Sequence, residues 1–146
     1  MRISARGEYA IKAMLDLAMH RGRPLVPIQE IATRQAIPQR YLEQVLLALK
    51  RSGLLTSKRG STGGYHLSKA PEEVTVGAVL RVVEGGSAPF EGGPEGRRHG
   101  AYAHDLEELW EEIADAVTGV VDRWTLEELV ARATERRGSS RPMYHI

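Results

Sequence analysis

The segment IPQRYLEQVLLALKRSGLL, residues 37–55, decides the fold. Its apolar residues recur every three or four positions, which predicts an amphipathic helix from about Pro38 to Ser52 with Gly53 as the C-cap. The predicted inward face consists of four aliphatic residues, Leu42, Val45, Leu46 and Leu49. The remaining positions are polar or aromatic and include Gln39, Arg40, Tyr41, Glu43, Gln44 and Lys50. The segment therefore combines a buried stripe with a face rich in hydrogen-bonding groups.

Two further helical patterns precede this segment. From Ser4 to His20 apolar residues again recur at helical spacing, and Ser4 is available as the N-cap. A second helix is predicted from about Pro27, because a proline suits the first helical turn, and it ends by Ile37, since the residue before Pro38 is forced out of the α region. The second helix and the helix from about Pro38 to Ser52 are short and joined by a tight connection, which predicts a helix-turn-helix.

A β-hairpin is predicted directly after the helix-turn-helix. Leu54–Ser57 and Tyr65–Ser68 have strand character, and the connecting sequence KRGSTGG at 58–64 is basic and rich in glycine. A further helix is predicted after the N-cap Thr75. The expected fold class is therefore mainly α with a small β-hairpin, with residues 1–84 forming a winged helix-turn-helix DNA-binding domain.

The C-terminal half predicts a long helix with an unpartnered apolar seam. Residues 85–103 form a glycine-rich loop, and a helix follows from about Asp105 to Trp124. Its apolar residues are spaced by 4, 3, 4, 3 and 4 positions, as in a coiled coil: Leu106, Trp110, Ile113, Val117, Val120 and Trp124. Thr125 and Glu128 form a capping box for a last helix to about Arg137. We expect residues 104–137 to be dimerisation helices and 138–146 a polar tail.

Charge and composition narrow the function classes. The 146 residues include no cysteine and carry a formal net charge of +1. Residues 1–69 carry a net charge of +8 and residues 70–146 a net charge of −7, so one half could meet a polyanion that the other repels. Neither a membrane span nor a signal peptide is indicated. We therefore expect a cytoplasmic protein without membrane contact.

The polar residues of the predicted third helix and hairpin suit contact with double-stranded DNA. Glutamine pairs with adenine, arginine with guanine and glutamate with cytosine in the major groove. Gln39, Arg40 and Gln44 stand at the N-terminal turns of this helix, where a recognition helix meets bases, while Tyr41 is equally suited to a phosphate or to inward packing. In the hairpin, glycines permit positive φ and close backbone approach, and basic residues suit a narrow minor groove: Lys58, Arg59, Gly60, Gly63 and Gly64.

Four segments together resemble the Rrf-two (Rrf2) family of bacterial winged-helix transcription regulators. They are ARGEYAIKAMLDLA at 5–18, IPQRYLEQVLLALKRSGLL at 37–55, SKRGSTGGYHLSKAPEEVTVGAVLRVVEG at 57–85, and the LW and TLEELV sequences between 109 and 130. The resemblance implies a homodimer held by the long helix, with both recognition helices on a two-fold symmetric operator, and repression as the usual outcome. Its implied DNA contacts are Gln39, Arg40, Tyr41, Gln44, Arg59 and the wing glycines.

The sequence departs from the family in its cysteines. Cluster-binding members carry three cysteines before the long helix, whereas this chain has none. We therefore expect no iron–sulfur cluster and no cofactor. By position His104 and Glu107 fall near the cluster ligands of the family, and together with His99 they could bind a divalent metal. Because the spacing of these residues across a glycine-rich loop is not specific for a metal site, we expect them to be solvated loop residues.

Two other classes of function are an enzyme and a protein-interaction module. No nucleotide-binding, hydrolase or metalloprotease motif occurs, so an enzyme is not expected. The alternative is a protein-interaction module, regulated by a partner or small ligand, with DNA binding secondary. Steep loss of operator affinity with salt would distinguish a DNA-binding regulator from that module. The signal stays open between a small-molecule effector, a partner protein and a divalent metal, the first two being favoured.

Overall fold

The structure is a computed structural model that describes residues 3–84 and 104–140, the last two of these by backbone only. In these ranges the chain forms α1 (Ala5–Met19), α2 (Ile28–Gln35), α3 (Gln39–Arg51), β1 (Leu55–Lys58), β2 (Gly64–Leu67), α4 (Val76–Val83), α5 (Glu107–Arg123) and α6 (Leu126–Ser140), with a 3-10 turn at Pro71–Glu73 before α4. The fold is mainly helical with one small antiparallel hairpin, as predicted. None of the helices described is long and apolar enough to cross a membrane.

The predicted N-caps are confirmed. The Gly7 amide donates to Ser4 Oγ at 3.0 Å, and the Ala78 amide donates to Thr75 Oγ1 at 3.0 Å. At the start of α6 the Glu128 amide donates to Thr125 Oγ1 at 3.1 Å. Each hydroxyl satisfies one of the amides that a helix leaves unpaired at its N-terminus. These short-range bonds explain why the starts of three helices could be located from the sequence.

The connection between α2 and α3 is the tight turn of a helix-turn-helix. Ala36 adopts the left-handed conformation at φ 53° and ψ 48°, which ends α2, and the Ile37 amide donates to the Ala32 carbonyl at 3.0 Å. Pro27 and Pro38 stand immediately before α2 and α3 as cap residues, one position earlier than the first-turn positions predicted for them. A proline there costs no helical hydrogen bond.

The hairpin is extended by a third segment that the sequence pattern did not show. β1 and β2 pair antiparallel, with Leu55 opposite Leu67 and Lys58 opposite Gly64. Each strand is displaced by one residue from its predicted bounds. Val26, between α1 and α2, pairs with Tyr65 through two backbone hydrogen bonds of 2.9 Å. The wing is therefore attached to the connection that leads into α2.

One main core joins the helix-turn-helix to the hairpin and to the last helix. Its buried residues come from α1, α2, α3, β1 and α4, and Leu126 of α6 is fully buried among them. Leu129 and Val130 of α6 also pack against this core. The last helix therefore packs against the same core as the helix-turn-helix, and it continues to Ser140, three residues beyond its predicted end.

Candidate nucleic-acid interface

Helix α3 presents an exposed polar face above a fully buried apolar one. Leu42, Val45, Leu46 and Leu49 are at most 2% exposed, as predicted. The residues predicted to read bases, together with Glu43, are all exposed: Gln39, Arg40, Tyr41, Glu43 and Gln44. The Tyr41 side chain is 52% exposed, with the Arg40 guanidinium 6.0 Å from its ring centroid, so of its two predicted orientations the outward one is found.

The wing places two basic residues beside a compact glycine tip. Lys58 and Arg59 are exposed, and the Gly63 amide donates to the Gly60 carbonyl at 3.0 Å to close the turn. Gly60 has φ 113°, in the left-handed region that favours glycine. The φ of Gly63 is not positive, contrary to expectation. Here glycine is needed because a Cβ would lie 2.2 Å from the Lys58 carbonyl oxygen.

Gly64 serves the attachment of the wing rather than its tip. A Cβ at this position would lie 2.5 Å from the Val26 carbonyl oxygen, the acceptor of the Tyr65 amide. Burial, and to a smaller extent the Glu43 carboxylate, raises the pKa of the Tyr65 phenol.

A groove between α1 and α3 contains interface candidates that sequence reasoning missed. Its volume is about 500 Å³, and it is lined by Ala5, Arg6, Tyr9, Tyr41, Gln44 and Val45. Arg6 is exposed at the N-terminal end of α1, where periodicity alone would assign it to a solvated face. Only the packing of α1 on α3 places Arg6 in the same groove as Gln44, and no local sequence signal indicates that arrangement.

The predicted seam of α5 divides into two flanks. Val117 packs against Leu80 of α4 together with Val121, a buried residue that was not predicted. The seam residues Leu106 and Val120 remain 50% and 47% exposed, and Leu109, which is not part of the predicted seam, is 47% exposed. Of the other seam positions, Trp110, Ile113 and Trp124 are partly buried. One flank of the helix thus faces α4, and the other leaves apolar side chains on the surface.

Trp124 and the residues around it attach α5 to α4. The Trp124 carbonyl accepts from the Val76 amide at 2.9 Å, and the Arg132 guanidinium lies 5.0 Å from the Trp124 ring centroid. Arg81 binds Asp122 in a bidentate manner, at 2.6 and 2.9 Å, and this hydrogen bonding lowers the pKa of Asp122. The C-terminal end of α5 is therefore fixed to α4.

The possible metal ligands form only a pair in the described ranges. His104 Nδ1 lies 2.6 Å from Glu107 Oε1, and both side chains are largely exposed. His99 lies outside the described residues. Within residues 3–84 and 104–140 no group of three or more His, Cys, Asp or Glu side chains is placed to hold a metal ion.

Comparison with known proteins identifies the family. Residues 3–132 match the Rrf2 family, described as iron-dependent transcriptional regulator. The chain is 40% identical over 133 residues to the HTH-type transcriptional regulator IscR of Pectobacterium carotovorum, covering 89% of this chain and 79% of the relative. It is 36% identical over 135 residues to CymR of Bacillus subtilis, covering 90% and 91%.

Solved structures agree with this assignment. The structure of CymR, the global cysteine regulator of B. subtilis, superposes with a TM-score of 0.76 at 35% identity, covering 90% of this chain and 98% of that one. The T. potens IscR structure gives a TM-score of 0.77 at 31% identity, covering 100% and 94%. These relatives are transcriptional regulators and not enzymes. With its winged-helix fold, the chain belongs to the Rrf2 family of DNA-binding transcriptional regulators.

Proposed function

We propose that this regulator binds a two-fold symmetric operator as a homodimer and represses transcription by occupying promoter DNA. The observation that supports this best is the exposed face of α3, where amide, guanidinium and phenol groups stand over a fully buried aliphatic stripe. The polar face lies outside the core of the protein, so its side chains can contact another molecule. Its dimensions and side chains suit the major groove.

The individual contacts follow from side-chain chemistry. Gln39 and Gln44 would pair with adenine and Arg40 with guanine, while Tyr41, being exposed, would reach a phosphate. Lys58 and Arg59 would enter the adjacent minor groove, with the backbone at Gly60, Gly63 and Gly64 close to the DNA. Arg6 extends this set, because it shares a groove with Gln44 at the end of α1.

The exposed flank of α5 supports the dimer. Leu106 at the N-cap of α5, and Leu109 and Val120 within this 17-residue helix, leave large apolar side chains exposed. With the partly buried Trp110 and Ile113 they supply a surface that the same helix of a second subunit would cover. Val117 and Trp124 belong in part to the attachment of α5 to its own domain, so they contribute less to the dimer than their spacing predicted.

The donor set of this chain does not fit the iron chemistry named in the family description. An iron–sulfur cluster is held mainly by cysteine thiolates, and this sequence has no cysteine. The described His104–Glu107 pair supplies two ligands, fewer than a stable metal site needs. We therefore propose that the protein regulates DNA binding without a cluster.

The test is selection of genomic fragments by the purified protein, followed by fluorescence anisotropy with the selected operator. The half-sites should lie about 34–36 Å apart or at a multiple of that spacing. Arg40→Ala and Gln44→Ala should each cost about 1–3 kcal/mol at particular base pairs. Arg59→Ala should weaken binding to most sequences and lower the salt dependence by about one phosphate contact.

Arg136→Ala is the matched control, because Arg136 is an exposed arginine of α6 and lies outside the proposed interface. Operator affinity of this variant should equal that of the wild type. Equal affinity of Arg59→Ala would refute the role of the wing. Operator binding that is insensitive to salt would instead favour a protein-interaction module with DNA binding secondary.

A further inference from the structure

A basic cavity lies at the far end of α1 from the proposed DNA interface. Its volume is about 530 Å³, within the range of small-molecule sites. Leu17 and Val26 contribute apolar surface, and the side chains that can carry positive charge are His20, Arg21, Arg23, His66 and Lys69. No carboxylate is among the described residues that line it. Arg21 and Arg23 are paired with Glu127 and Glu30 outside the lining, so Lys69 supplies the positive charge that no carboxylate of the described residues offsets.

The position of this cavity separates it from DNA binding. The recognition groove uses Arg6 and Tyr9 at the start of α1, whereas the cavity uses His20 just after its end. Fifteen helical residues span about 22 Å. On the wing strand β2 the cavity is lined by His66 and Leu67, at the end of the strand away from the turn at Gly60–Gly63. Phosphate contacts on the recognition side therefore do not account for these charges.

Three of the lining side chains, Lys69, His20 and His66, have polar atoms that can still bind a ligand. Lys69 forms no ion pair with any residue of the described ranges. His20 Nδ1 lies 2.7 Å from the Asp16 carbonyl oxygen, and His66 Nδ1 lies 3.0 Å from the Leu67 carbonyl oxygen. A backbone acceptor places the ring proton on Nδ1. An Nε2 atom without a proton cannot donate to an anion, so each ring contributes to anion binding only when both of its nitrogens carry a proton.

The rim of the cavity is connected to the helix-turn-helix by ion pairs. Arg23 binds Glu30, with Nη2 to Oε1 at 3.2 Å, and Arg34 Nη1 binds the same carboxylate at 3.1 Å. Arg34 also binds the buried Asp16 through two hydrogen bonds of 2.9 Å. An anion that attracts Arg23 competes with Glu30 for it. Binding in the cavity would therefore act on the ion pairs that fix α2 to α1.

We propose that this cavity is a binding site for a small anionic ligand that carries phosphate or carboxylate groups. Lys69, His20 and His66 contact the anion, Arg21 and Arg23 close the rim, and Leu17 and Val26 contact the apolar part of the ligand. The regulatory consequence rests on the proposed function: the ligand alters operator affinity by loosening the Arg23–Glu30 pair.

The direct test is NMR of the histidine imidazoles during titration with inorganic pyrophosphate, and separately with citrate, against sodium chloride of matched ionic strength. His20 and His66 signals, assigned with glutamine variants, should shift saturably with a Kd of about 1 mM or tighter for at least one probe. His104 serves as the internal reference and should not move. The two probes distinguish phosphate from carboxylate ligands.

Lys69→Gln should weaken this binding about tenfold, because it removes a charge-assisted contact, whereas Arg136→Gln should leave it unchanged. Absence of saturable shifts with both probes would overturn the proposal. So would shifts that survive Lys69→Gln and disappear in Arg59→Ala, since the anion would then occupy the DNA interface. The NMR result needs no DNA, so a failure of operator binding leaves it standing.

The regulatory arm uses anisotropy with and without the probe that binds. Operator affinity of the wild type should change beyond the matched-salt control, and Lys69→Gln should lose that change while keeping its affinity without the probe. If Lys69→Gln responds like the wild type, the cavity does not regulate DNA binding.

Discussion

Replacing Asp16 by asparagine should destabilise the domain more than any surface charge substitution. Asp16 is 1% exposed and is the only charged residue that is buried in the described ranges. It accepts from Arg34 Nε and Nη2 at 2.9 Å each and from Gln35 Nε2 at 3.2 Å. Asparagine keeps the size of the side chain but removes its charge and turns an amide group toward one of these donors.

The expected magnitude lies between two limits. Removing one partner of a fully buried ion pair costs about 3–5 kcal/mol, whereas exposed pairs contribute about 1 kcal/mol or less. Since Asp16 is buried and the Arg34 side chain is 34% exposed, we expect a loss of about 2–3 kcal/mol in the free energy of unfolding. For a chain of this size that corresponds to a fall of about 4–12 °C in Tm.

Urea unfolding at one fixed protein concentration measures this loss, because a dimer makes apparent stability depend on concentration. A double-mutant cycle with Arg34→Gln should return a coupling energy of about 1 kcal/mol or more. Glu30→Gln is the control, since it removes the other carboxylate bound by Arg34 and should change stability much less. An Asp16→Asn variant as stable as Glu30→Gln would refute the reasoning.

Three further outcomes are expected. Val120→Glu should convert the protein to folded monomers in sedimentation, whereas Val117→Glu, which faces α4, should also lower thermal stability; a stable Val120→Glu dimer would place the interface elsewhere. Gly63→Ala should weaken operator binding by about 1–3 kcal/mol in anisotropy, since its Cβ would strike the Lys58 carbonyl, while Gly22→Ala, with open space around it, should not. Hydrogen bonds from Arg23, and to a smaller extent from Arg34, lower the pKa of Glu30 from 4.5 to about 2. The contribution of the Glu30 carboxylate to the free energy of unfolding is therefore complete above pH 4.5 and is lost as the pH falls from 4.5 to 2. Urea unfolding across that pH range should show a weaker pH dependence for Glu30→Gln than for the wild type.

The parts of the fold that local chemistry determines could be predicted from the sequence. Ser4, Thr75 and Thr125 each cap a helix through a bond to an amide three residues ahead, so the signal and its effect lie within one turn. The buried face of α3 followed equally from helical spacing, because every position of that stripe meets the same core.

The division of the α5 seam could not be predicted in this way. Spacing gives the angle at which a side chain leaves the helix, but it does not say which neighbour covers that angle. Val117 and Val120 were therefore assigned to one interface, although α4 covers the first and leaves the second in water. Arg6 was missed for the same reason, since its contact with the recognition groove depends on how α1 crosses α3.

The unequal attachment of α5 has a consequence for how a dimer would respond to a signal. Near its C-terminal end the helix is held to α4 by the Arg81–Asp122 pair, and α4 comes so close there that a Cβ on Gly77 would lie 1.9 Å from Asp122 Oδ1. Just beyond it, Leu126 donates its amide to the Val74 carbonyl at 2.9 Å. At the N-terminal end of α5, by contrast, Leu106 at the N-cap and Leu109 in the first turn leave apolar side chains exposed. Because the attached end moves with the DNA-binding domain, any change in how two α5 helices pack would alter the separation of the two recognition helices rather than the fold of either domain.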